Sequence, residues 1–99
     1  MAKRYSPQRE WEQALIAAYY DYRWRQILQP LHDDLVHWAA GEREHADLDR
    51  AIHEAHKESQ QLYRLFTQSR GWLVRAIQFD EEWFQGWVKD HPAPSLPGE

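Results

Sequence analysis

The sequence contains no cysteine, and this absence removes several classes of structure and site at once. Without cysteine there is no disulfide framework, no thiolate metal site and no cysteine nucleophile. Apolar runs are also short, and none approaches the eighteen or so residues that a membrane-spanning helix needs. The basic start at residues 1–4 lacks the apolar segment that follows in a signal peptide. We therefore expect a cytoplasmic protein.

Glycine and proline are scarce, and three of the five prolines lie in the last nine residues. The rest of the chain is rich in Ala, Leu, Gln, Glu and Arg, which favour helices, and it has no run of β-branched residues. This composition predicts an all-α fold. We predict a single helical domain over residues 1–90, followed by an extended, flexible tail over residues 91–99.

Strong positive charge is missing as well, since the formal net charge is −4 with the histidines neutral. Proteins that bind nucleic acid are usually basic, so the charge argues against a nucleic-acid partner. A minor alternative is an acidic protein that competes with nucleic acid for a basic partner.

A long helical pattern is present between positions 46 and 77. Apolar and small residues recur there at alternating spacings of three and four, which places them on one face of a helix: Leu48, Ile52, Ala55, Ser59, Leu62, Phe66, Ser69, Leu73 and Ile77. We predict one helix over this stretch, with a weak point at Gly71.

An earlier helix is predicted to begin at Ser6-Pro7, a common N-cap and first-turn pair. It carries two apolar tracks, one with Trp11, Leu15, Ala18 and Tyr22, the other with Ile16, Tyr20, Trp24 and Ile27. A helix that is apolar on two sides contacts two neighbours, and one of these can belong to another subunit. Pro30 is expected to break or kink this helix before the pattern resumes as far as residue 40.

Gly41 opens a stretch without large apolar residues, so we place a turn at residues 41–45. Two arms of similar length, residues 7–40 and 46–77, then form an antiparallel helical hairpin whose first arm is kinked at Pro30. One continuous helix from Leu31 to Arg70 is the alternative. A short C-terminal helix is expected to start at Asp80, with Phe79 packing on Phe84, and to end before Pro92. Dimerisation would complete a four-helix-type bundle.

Aromatic residues are abundant, with six tryptophans, five tyrosines and three phenylalanines. A monomer of this length buries only about 60–65% of its unfolded surface, which is little room for so many rings. We therefore predict a protein–protein interface, because Trp, Tyr and Arg concentrate binding energy there. The candidate residues are Trp11, Tyr22, Trp24, Trp38, Trp72, Trp83 and Trp87. The predicted partner is a second copy (a homodimer), a larger protein complex, or both.

One group of residues carries chemistry. On a helix, spacings of 3, 4, 4 and 3 place five residues on one face: Glu42, His45, Asp49, His53 and His56. Over one turn, Glu42–His45 resembles the Glu-x-x-His motif of ferritin-like bundles, a resemblance that implies iron or manganese. The alternative reading is a solvated helix face. Our first hypothesis is thus a non-enzymatic helical accessory or assembly protein without a cofactor; the second is a ferritin-like protein that binds Fe, Mn or Zn through these residues.

Overall fold

The computed structural model describes residues 6–94, and all regular structure within them is helical. The all-α prediction is therefore confirmed for this part of the chain. The four helices are α1 (Pro7–Ala39), α2 (His45–Phe66), α3 (Arg70–Gln78) and α4 (Glu81–Asp90). None of them is both long and apolar enough to cross a membrane.

The chain divides into two compact units. The first, here called the hairpin unit, is Tyr20–Thr67 and holds the later part of α1 together with α2. The second, here called the terminal unit, combines the start of α1 with α3 and α4. The predicted single domain over residues 1–90 stays a prediction. Residues 1–5 and the tail residues 95–99 lie outside the described part.

The hairpin unit confirms the predicted antiparallel hairpin and rules out the continuous helix from Leu31 to Arg70. Gly41 has a φ of +82°, the left-handed conformation that glycine adopts at little cost. Its N–H donates to the Trp38 carbonyl at 2.9 Å, and the Glu42 N–H donates to the His37 carbonyl at 2.9 Å. These two bonds form a Schellman motif, which ends α1 and reverses the chain into α2.

Pro30 lies inside α1, which runs without interruption to Ala39. The helix therefore has no break at Pro30, and the kink expected there as the other outcome stays a prediction. Proline removes one N–H and leaves the carbonyl four residues earlier, on Gln26, without its helical donor. Both Gln26 and Pro30 are exposed, so water can hydrogen-bond to that carbonyl.

The predicted single helix over residues 46–77 is wrong at residues 67–69. The helix α2 ends at Phe66, where the Thr67 hydroxyl donates to the Arg64 carbonyl at 2.8 Å. Three residues later, the Ser69 hydroxyl accepts the Trp72 N–H at 3.3 Å and caps α3. Hydroxyl side chains compete with the helix for backbone groups, and two of them within three residues divide the stretch. Gly71 consequently lies in the first turn of α3.

The terminal unit has an apolar centre in which Leu15, Leu73 and Ile77 are buried. The short helix α4 begins after Asp80 and ends at Asp90, before Pro92, as predicted. The Asp80 carboxylate accepts the Tyr19 hydroxyl at 2.8 Å and makes no capping bond to its own helix. The expected packing of Phe79 on Phe84 is wrong, because Phe79 is 80% exposed.

Candidate interaction surface

Large apolar side chains are exposed along one side of the hairpin unit. We call this surface the hairpin face and define it by six residues: Tyr20, Trp24, Leu28 and Leu35 on α1, and Ile52 and Tyr63 on α2. Their spacings of four, seven and eleven residues correspond to about one, two and three helical turns, so on each helix they lie in one stripe. Tyr63 is 72% exposed, and Leu28, Leu35 and Ile52 are 41–47% exposed. Trp24 is partly buried.

At one end of the hairpin face, Trp24 and Tyr63 bound an open aromatic cleft between the two helices. Its inner part has a volume of about 190 Å³ and is completed by Tyr20, Leu62 and Phe66, with Thr67 at the edge. Tyr20 meets Phe66 edge to face with ring centroids 4.9 Å apart, which fixes one wall. An apolar cavity of about 150 Å³ is large enough to hold benzene. The inner cleft can therefore accept a leucine-sized or single-ring side chain.

An adjoining part of the same cleft is larger and more polar. It has a volume of about 460 Å³ and is bounded by Trp24, Ser59, Gln60, Tyr63 and Arg64. Trp24 and Tyr63 line both parts, so the two volumes adjoin each other. The cleft is thus apolar at its inner end and bordered by polar groups at its outer end.

The opposite side of the hairpin unit is charged. A groove of about 380 Å³ runs between α1 and α2 there, and its ionisable residues are Asp34, Asp47, Arg50, Glu54 and Glu58. Arg50 pairs with Asp47 at 3.4 Å on this side. The hairpin unit therefore has one side rich in ionisable residues and one side on which large apolar side chains are exposed.

The predicted aromatic interface residues are divided by the structure. Trp24 lies on the hairpin face, and Trp38 lies at the far end of the hairpin unit, where its indole N–H donates to His45 Nδ1 at 2.9 Å. Tyr22 is partly buried, and its hydroxyl accepts a bond from Gln26 at 2.8 Å. Trp72 is 52% exposed on α3. These four have at least part of their surface open to solvent, as do the other three candidates, Trp11, Trp83 and Trp87.

The other three tryptophans pack together within the terminal unit. Trp11 lies 5.7 Å from Trp87, and Trp83 stacks on Trp87 at 6.1 Å. The Trp11 indole N–H also donates to the His91 carbonyl at 2.7 Å. His91 in turn stacks on Trp87 at 4.4 Å. These contacts give the rings a role in holding the start of α1 against α4.

Sequence reasoning did not select five of the six residues of the hairpin face: Tyr20, Leu28, Leu35, Ile52 and Tyr63. The prediction favoured tryptophan because of its residue type, whereas the exposed residues of the hairpin face are mostly aliphatic residues and tyrosines. The available signal was the second apolar track on the first helix, which contains Tyr20 and Trp24. That track indicated a second neighbour.

The five predicted metal ligands are distributed over the turn and the first three turns of α2. Glu42 lies in the turn and contacts His37 Nδ1 at 2.6 Å, while His45 begins α2 and accepts the bond from Trp38. Asp49 and His53 approach to 3.4 Å, and His56 is exposed on the following turn. Within residues 6–94, no group of three or more His, Asp or Glu side chains is arranged to hold a metal ion. The metal site stays a prediction.

One carboxylate of the hairpin unit has a perturbed pKa. The hydrogen bond from His32 at 3.3 Å, with a second from Gln29 at 3.1 Å, lowers the pKa of Asp33 below its usual value. Both bonds favour the charged form. The Asp33 side chain is 59% exposed, so this feature is local to the surface of α1.

Comparison with protein-family models, curated proteins and solved structures finds no match for this chain.

Proposed function

We propose that this chain is a non-enzymatic helical assembly protein that acts by protein–protein association through the hairpin face, and that a second copy is its first partner. The observation that carries the proposal is the set of six large apolar residues exposed on one side of α1 and α2, with the aromatic cleft at one end. Contiguous apolar surface of this kind typically marks an interaction site.

The energetics favour association. Fully burying a leucine or isoleucine side chain contributes about 1.5–3 kcal/mol relative to leaving it exposed. Leu28, Leu35 and Ile52 retain close to half of their exposure in the isolated chain, so each leaves roughly half of that contribution unrealised. Tyr63 and Trp24 add ring surface of the type that dominates binding energy at interfaces. Paired hairpins would form the four-helix bundle expected from the sequence.

The test is a matched pair of charge substitutions on α2. Tyr63→Asp places a carboxylate on the hairpin face, whereas Gln61→Asp places the same group two residues away on the back of the same helix. We expect Tyr63→Asp to weaken self-association at least tenfold in sedimentation equilibrium, and Gln61→Asp to change it less than twofold. Equal effects of the two substitutions would contradict the proposal.

The second candidate function is metal binding by the residues Glu42, His45, Asp49, His53 and His56. It is supported by the pair Asp49 and His53, which are one helical turn apart on α2. The carboxylate and the imidazole of this pair are separated by 3.4 Å. Such donors suit iron, manganese or zinc. Elemental analysis of untagged protein after supplementation with each metal tests it. At least one metal ion bound per chain in the original protein, and none in His53→Ala, would support this function. Less than a tenth of a metal ion per chain would contradict it.

A further inference from the structure

The hairpin face has a regular order along its length. In an antiparallel hairpin, positions on α1 and α2 lie side by side in rows, and the row that the cleft establishes contains Trp24 and Tyr63. With a rise of 1.5 Å per residue on both helices, the next rows are Leu28 with Ser59, Leu31 with His56, and Leu35 with Ile52. The face therefore begins with a concave aromatic row and ends with an exposed aliphatic row.

From this order we infer that the aromatic cleft is a docking site for Leu35 and Ile52 of a second copy, in an antiparallel two-fold arrangement. This inference rests on the proposed function and specifies its interface. In this arrangement α1 lies along α1 of the second copy and α2 along its α2. The first row of each copy then faces the fourth row of the other, and the second row faces the third.

Shape favours the antiparallel arrangement over the parallel one. The inner cleft of about 190 Å³ has room for one aliphatic side chain and the adjoining part of about 460 Å³ for a second, and Leu35 and Ile52 are 41% and 45% exposed. Antiparallel pairing places these exposed side chains over the concave row twice, once at each end of the interface. Parallel pairing instead places one cleft against another and leaves both open, while the aliphatic rows meet each other.

Charge at the edge of α2 agrees with the same arrangement. Asp49 and Arg64 are both exposed on α2, near opposite ends of the hairpin face, and their spacing of fifteen residues separates them by about 60° around the helix. In antiparallel pairing the two-fold axis passes through the centre of the four rows. Arg64 of one copy then lies about two residues from the level of Asp49 in the other copy, which is roughly 3 Å along the helix axis. Opposite charges at the rim of an interface favour one register over others.

The small size of the face suits a weak, reversible association. From Tyr20 to Leu35 the face is about 23 Å long, and two adjacent helices are about 20 Å wide. Each copy would therefore bury roughly 450 Å², which places the pair among weak, transient interfaces. We expect a reversible dimer with a dissociation constant in the micromolar range.

A size swap tests the pairing of Trp24 with Leu35 of the second copy. Trp24→Leu leaves a gap at each end of the interface, whereas Leu35→Trp places two large rings in the space for one. Each change alone should therefore weaken dimerisation at least tenfold. The double variant Trp24→Leu/Leu35→Trp restores one large and one small side chain per pair. It should return to within about threefold of the original chain. A double variant at least a hundredfold weaker than the original chain would overturn the assigned pairing.

Spin labelling separates failure of this inference from failure of the proposed function. Because the chain has no cysteine, Ala46→Cys on the exposed side of α2 provides a single labelling site. Antiparallel pairing places the two labels about 35 Å apart along the helices, whereas parallel pairing places them within about 20 Å. A distance near 35 Å in pulsed dipolar spectroscopy supports the inference. A short distance in a dimer overturns the inference alone, and a monomer without dipolar coupling overturns both proposals.

Discussion

The hydroxyl of Tyr19 joins two helices of the terminal unit through one hydrogen bond. The Tyr19 side chain is 4% exposed, and its O–H donates to the Asp80 carboxylate at 2.8 Å. Its ring also meets Trp83 edge to face at 4.9 Å. The bond therefore holds the start of α4 against α1. The Asp80 carboxylate makes this bond and makes no capping bond to α4.

Removing this hydroxyl should destabilise the protein. Hydrogen bonds to charged groups contribute about 1.5–3 kcal/mol, and Tyr19→Phe leaves the ring contacts in place. We expect the free energy of unfolding in urea to fall by about 1.5 kcal/mol. Tyr20→Phe is the control, because the Tyr20 ring is half-exposed, and it should change stability by less than about 0.5 kcal/mol. Equal losses in the two variants would contradict the assigned bond.

The lowered pKa of Asp33 predicts how the stability of the protein depends on pH. Its pKa is lowered in the folded protein, first by the hydrogen bond from His32 and then by that from Gln29. Its contribution to stability is therefore complete above the pKa of the unfolded chain and is lost as the pH falls through the folded pKa. A carbon-detected NMR titration should show that Gln29→Ala raises the pKa of Asp33 and that Gln13→Ala does not. An unchanged pKa in Gln29→Ala would contradict the role of Gln29.

At the scale of elements, Gly41 determines where α1 ends. Its positive φ allows the two Schellman bonds that reverse the chain. Gly86 has no such requirement, because it lies within α4 and its φ is not positive. A Cβ would meet no atom within 4 Å at either position. The two glycines therefore differ in backbone conformation and not in available space.

The same substitution should have opposite effects at these two glycines. Gly41→Ala forces an L-residue into the left-handed region and should lower the free energy of unfolding by about 1–2 kcal/mol. Gly86→Ala should raise it by about 0.5–1 kcal/mol, because alanine loses less conformational freedom in a helix. Thermal unfolding of both variants checks the signs. A Gly41→Ala variant as stable as the original chain would show that the turn does not depend on a left-handed residue.

Periodicity in the sequence predicted the hairpin and α4 because both depend on local patterns. Gly41 follows the last apolar residues of α1, and Asp80 is followed by two glutamates in the first turn of α4. The break at residues 67–69 was missed because the apolar stripe continues across it, and only the hydroxyls of Thr67 and Ser69 divide the helix. Local hydrogen bonds here outweigh the long-range pattern.

The interface residues predicted from the sequence differ from those of the hairpin face, and the interface itself stays a prediction. An excess of aromatic residues indicated an interface, yet three of the six tryptophans pack together in the terminal unit. Leu28, Leu35 and Ile52 are exposed because the packing of α1 on α2 uses the neighbouring stripe, which includes the buried Ile27, Leu48 and Leu62. Which of two adjacent apolar stripes is buried depends on how the helices are rotated, and sequence periodicity alone does not fix that rotation.

At the scale of the whole molecule, the central claim is that chains associate through the hairpin face. The most direct measurement is the solution mass by sedimentation equilibrium, over protein concentrations from about 1 to 200 μM, a range that brackets a micromolar dissociation constant. We predict a reversible rise from the 12.0 kDa chain towards twice that mass, and the loss of this rise in Tyr63→Asp but not in Gln61→Asp. A mass of 12.0 kDa at every concentration would contradict the account.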